Sequence, residues 1–98
     1  MYLLISADST LSLEDVDNMN GFSIVENSDL TRSSAFSAIA SQAGEGHYWI
    51  DIDSVIKLSS RREEQQWVDE FWNMLRKAEP YGYADLVNKR VKAHVEAS

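Results

Sequence analysis

The stretch His47-Tyr48-Trp49-Ile50-Asp51-Ile52-Asp53 decides the fold. In an extended chain Tyr48, Ile50 and Ile52 share one side, while His47, Trp49, Asp51 and Asp53 share the other. Aromatic and β-branched residues favour a pleated, half-buried surface. The alternation therefore predicts a strand over 47–53 with its apolar side on a core. The opposite side is half polar and faces solvent, a partner or a site.

Towards the C-terminus, Asp53-Ser54 opens one short helical turn through Leu58. Ser60 and Glu63 then form a capping-box pattern. Trp67, Val68, Phe71, Trp72, Leu75 and Ala78 recur as one apolar stripe, with Arg76 and Lys77 in the last turn where the macrodipole favours cations. Pro80 biases Glu79 away from the helical region, which predicts a helix running from Ser60 to about Ala78. Tyr81-Gly82-Tyr83 is a turn, and so is Asn88-Lys89. The tail has two readings. Leu86, Val87, Val91 and Val95 fit a helix; Val91, Ala93 and Val95 alternate with Lys92, His94 and Glu96 and fit a strand. The β-branched content favours a strand over 90–96.

Towards the N-terminus, Gly44-Glu45-Gly46 is a turn. Phe36, Ile39, Ala40 and Ala43 predict a helix over 30–43, small-sided enough to pack close to a sheet. Phe22–Glu26 reads as a strand. Ser12 with Asp15, followed by Leu13, Val16 and Met19 at threefold spacing, predicts a short helix over 13–19 that ends at Asn20-Gly21. Residues 2–6 form a short apolar run and predict a buried strand. The order is β-α-β-α-β-α-β. It implies one small domain of the α/β or α+β class, a two-layer sandwich with about four strands and helices mainly on one face. A ferredoxin-like arrangement is the alternative.

Ninety-eight residues are enough for one core without staples. The chain has no cysteine, which removes disulfide and thiolate chemistry and fits a reducing compartment. No apolar run approaches a membrane span, and Met1–Ser6 lacks the basic segment of a signal peptide, so the expected location is cytoplasmic. The net charge is −7, and all of it lies in residues 1–60, where nine acids face two bases; residues 61–98 are neutral. An acidic balance argues against nucleic acid and against anionic membranes as partners.

No strong catalytic motif is present. Gly44-Glu45-Gly46 lacks the rest of a dinucleotide fingerprint, and no phosphate loop, zinc spacing or nucleophile elbow occurs. No cofactor and no metal site are expected. One constellation carries potential chemistry. His47, Asp51 and Asp53 share a strand face, and His94 joins them if the last strand pairs alongside. An aspartate orienting an imidazole makes a general base, and two imidazoles with two carboxylates suit a divalent cation. Tyr81, Tyr83 and Trp49 are candidates for a ligand or partner surface. Trp49 in particular sits on the polar side of its strand and needs cover, which a second copy could supply in a homodimer. Arg61-Arg62 at a helix start invites either an anion or a salt bridge to the acidic half. These features point first to a small acidic protein-interaction or regulatory module that self-associates. The second reading is a small enzyme or ligand-binding domain built on the His/Asp cluster. The third is an acidic inhibitor of a basic-grooved protein.

Overall fold

The computed structural model describes residues 1–97. Its strands are β1 (Tyr2–Ile5), β2 (Leu11–Glu14), β3 (Ser23–Glu26), β4 (Ala40–Gly44), β5 (His47–Asp51), β6 (Ala84–Asp85) and β7 (Arg90–Ala97). The helices are α1 (Ser34–Ile39), α2 (Ile52–Leu58) and α3 (Gln65–Ala78). The strands form one mixed sheet in the order β2-β1-β3-β7-β5-β4, with β6 also paired to β7. The pairs β1–β3 and β3–β7 are parallel, and the other pairs are antiparallel.

The core follows from the alternation. Leu3 and Ile5 on β1, Ile24 on β3, Ile50 on β5, and Val91 and Ala93 on β7 are buried on one face of the sheet. Trp67, Phe71 and Leu75 of α3, one turn apart, bury against the same cluster, as do Phe36 of α1 and Ile52 and Val55 of α2. The rings of Trp67 and Phe71 stack at 5.3 Å between centroids. The Trp67 indole N–H donates to the Val16 carbonyl at 2.7 Å, so this core tryptophan has its polar atom satisfied. Tyr2, Leu4, Val25 and Trp49 lie on the other sheet face and stand outside the cluster.

Several expectations are corrected. The sheet has seven strands among the described residues, not about four. The helix expected over 13–19 is absent: residues 11–14 form β2, paired to β1. The cause is turn chemistry at Ser6–Thr10. The Ser6 N–H donates to Thr10 O, Asp8 accepts from both the N–H and the hydroxyl of Thr10, and Ser9 takes a left-handed φ of 69°. That hairpin returns Leu11-Ser12-Leu13-Glu14 with a period of two. Starting with three strands and no intervening helix, the chain also departs from the ferredoxin-like β-α-β-β-α-β order.

The helix expected over 30–43 is cut short. Asp29 caps a 3-10 turn at Leu30–Arg32, Ser33 caps α1, and Ala40 turns extended to begin β4. Pairing with β5 replaces the second half of that helix, whose side chains are too small to bury much area. Gly44 and Gly46, at φ 147° and 71°, make the hairpin possible.

The strand expected over 47–53 ends at Asp51, because that carboxylate caps α2 by accepting from the N–H and hydroxyl of Ser54 at 3.0 and 2.6 Å. α3 begins at Gln65, with Glu64 rather than Ser60 at the cap position. Arg61 holds the preceding turn by bonding to both Glu64 and Asp17, which fulfils the salt-bridge reading of the Arg61-Arg62 pair for its first member. The tail is a strand, and β7 runs through the middle of the sheet.

Candidate functional site

Antiparallel pairing of β5 with β7 sets His47 opposite His94, Trp49 opposite Lys92 and Asp51 opposite Arg90. The two imidazoles are therefore neighbours, with ring centroids 6.3 Å apart. The aspartates do not join them. Asp51 lies four residues along the strand from His47, about 13 Å at the rise of an extended chain, and its carboxylate caps α2. Asp53 is exposed on α2, 3.8 Å from Lys89. Among the described residues no group of three or more metal-ligating side chains converges. His47 Nδ1 meets the Glu45 carbonyl at 2.9 Å, and His94 Nε2 meets Glu96 at 2.9 Å.

Trp49 finds the cover it needs from its own chain. The guanidinium of Arg90 lies 4.3 Å from the indole centroid and the ammonium of Lys92 lies 5.1 Å from it. Both are cation–π contacts. Arg90 is further tied to Asp85 at 3.0 Å. Hydrogen bonds from Asn88, and then Arg90, hold the Asp85 carboxyl below its ordinary pKa. The sequence signal for this arrangement was present in the alternation of Arg90 and Lys92 on the tail strand, but it needed the register to be legible.

The larger feature is a cleft of about 920 Å³ at the C-terminal end of α3. Its apolar walls are Met19 and Phe22 from the loop before β3, Met74 and Leu75 from α3, and Val91 from β7. Tyr81 and Tyr83 form its rim. Their placement follows from the helix end. Gly82 adopts a left-handed φ of 85°, its N–H donates to Glu79 O, and the Tyr83 N–H donates to Ala78 O. This paired set of bonds is a Schellman motif, and it leaves the two tyrosines flanking the glycine. Tyr81 is 79% exposed and Tyr83 53%. Lys77, Lys92 and His94 also line the cleft, against the single acid Glu70. So the cleft gathers His94, Tyr81 and Tyr83 from the residues the sequence singled out, and leaves His47, Trp49, Asp51 and Asp53 outside its lining. Met19, Phe22 and Met74 were missed: Met19 sits in a segment expected to be helix, Phe22 opened an expected strand, and Met74 lies outside the apolar stripe of the long helix.

The cleft also lies where β7 changes neighbours. Ala84–Asp85 of β6 pair with its first residues, and β3 pairs with Val95–Ala97. Between them the Lys92 N–H reaches only the Tyr83 carbonyl, at 2.8 Å. The loop at residues 19–22 supplies one wall of the cleft beside this change of neighbours. No helix among the described residues is long and apolar enough to cross a membrane.

No family model, no curated protein and no solved structure matches this chain.

Proposed function

We propose that this chain is a small interaction module that pairs with a second copy of itself through the cleft at the end of α3. The observation that carries the reading is the clustering of exposed large hydrophobic residues. Tyr81, Tyr83 and Val87 fall within seven residues, and two of the three rim the cleft. Val87 is 90% exposed and follows Tyr83 across the two-residue strand β6. Apolar groups concentrated in this way mark contact surfaces. A protrusion beside a cleft on one chain is the arrangement a twofold dimer uses, since each copy offers both halves of the contact.

Charge selects the same region. Two chains of net charge −7 repel, and they approach most easily where acids are sparse. Most of the cleft lining comes from the neutral residues 61–98, with Lys77 and Lys92 set against Glu70. Met19 and Met74 add unbranched, adaptable side chains to its walls.

The test is sedimentation equilibrium over a dilution series of the wild type, Tyr83→Lys and Val87→Lys, with circular dichroism confirming that each variant folds. The reading predicts a concentration-dependent dimer for the wild type and monomers for both variants. A wild type that stays monomeric at every concentration, or variants that dimerise unchanged, would contradict it.

A further inference from the structure

We propose that His47 and His94 form a two-histidine binding site for one first-row divalent cation of the zinc class, on the open face of the sheet. This inference shares His94 with the lining of the cleft, but its zinc readout does not require that the chain self-associates. Its basis is register. His47 and His94 are direct cross-strand partners. The flanking bonds, Val95 N–H to Gly46 O and Ile52 N–H to Lys89 O, place the narrow hydrogen-bonded pairs at the alternate positions. His47 and His94 therefore occupy a non-hydrogen-bonded pair, the kind in which backbones approach closest and side chains meet.

The hydrogen bonds of the rings leave the right atoms free. The Glu45 carbonyl can only accept, so His47 Nδ1 carries a proton and the neutral ring keeps its lone pair on Nε2. The Glu96 carboxylate likewise accepts from His94 Nε2, which leaves Nδ1 of the neutral ring as the ligand atom. A ring nitrogen bonded to a carbonyl or carboxylate is the supporting pattern found behind metal-bound histidines. With metal–nitrogen bonds of about 2.0–2.1 Å at a tetrahedral centre, two ring centroids stand about 5 Å apart. The observed 6.3 Å is about 1 Å wider than this, a gap that the proposed site closes by side-chain rotation. Solvent completes the coordination. Glu96, bonded to His94, offsets the charge of the incoming cation, and Lys92 opposes it from the next position on the same face of β7.

The experiment is a zinc titration of the full chain, followed by NMR of the two histidine rings, with His47→Gln and His94→Gln as controls. The expected result is a saturable one-to-one response in which both rings shift together, and a loss of zinc affinity of at least about tenfold in either variant, the scale on which one missing ligand or its support is felt. A response confined to one ring, zinc affinity unchanged in either variant, or no response at all would overturn the proposal. Both histidines lie at the surface, so the amide spectra of the variants should otherwise match the wild type; that match separates loss of the site from loss of the fold.

Discussion

The two faces of the sheet solve the same problem in different ways. Each carries a tryptophan. On the inner face Trp67 is 1% exposed, stacked on Phe71 and hydrogen-bonded to Val16. On the outer face Trp49 lies under two cations from the neighbouring strand. The inner face is held by area removed from water, at roughly 1.5–3 kcal/mol per large side chain. The outer face is held by contacts worth about 0.5–1 kcal/mol each at exposed sites. Stability therefore resides on the helix side, and the outer face and cleft rim are free to serve contact.

That contrast can be broken by substitution. Phe71→Ala removes a ring at the centre of the inner face and should cost about 3–5 kcal/mol, measured by urea denaturation. Asp51→Ala lies at the boundary between β5 and α2, where the carboxylate holds Ser54. Losing that cap should cost about 1 kcal/mol. Trp49→Ala should cost less than Phe71→Ala by about 2 kcal/mol or more, because it forfeits cation–π contacts rather than a filled core. A Trp49→Ala effect as large as that of Phe71→Ala would mean that the outer face is a second core.

The smallest expected effect is on acid stability. Asp85 is held below its ordinary pKa by hydrogen bonds from Asn88 and then Arg90, and Asp8 and Asp29 by bonds from Thr10 and Thr31. The unfolded chain binds protons at these sites at higher pH than the folded chain does. Their stabilisation is therefore present above about pH 4 and is lost as pH falls below it. Asp85→Asn should lower stability slightly at neutral pH and leave it nearly unchanged at acid pH, which shallows the acid limb of the stability profile.

The parts of the fold legible in sequence are those where local pattern and tertiary environment agree. β5 and α3 combine a clean period with a large buried area, so Ile50, Trp67, Phe71 and Leu75 fall where the alternation and the stripe place them. The strand at the tail was favoured by β-branching alone, and it became the middle of the sheet. Illegibility lies at short elements. Leu13, Val16 and Met19 suit a helix by spacing, yet the Asp8-Ser9-Thr10 turn made residues 11–14 a strand. Ile39, Ala40 and Ala43 suit a helix too, yet an unpaired edge of β5 captured residues 40–44. The site followed the same rule. The nearness of His94 to His47 was foreseen only on the condition that the tail strand lie beside β5; the register that sets them opposite each other came from the structure. The cleft gathers residues from the loop before β3, from α3 and the turn after it, and from β7, a convergence that no local pattern encodes.

The central claim is that self-contact uses the cleft and its tyrosine rim rather than the Trp49 face. The most direct test is a dilution series followed by NMR, reading the methyl groups of Met19 and Met74 beside the indole N–H of Trp49. The account predicts that both methyl signals move with concentration while the Trp49 signal stays fixed. Methyl signals that do not change, or a Trp49 signal that moves in their place, would contradict it.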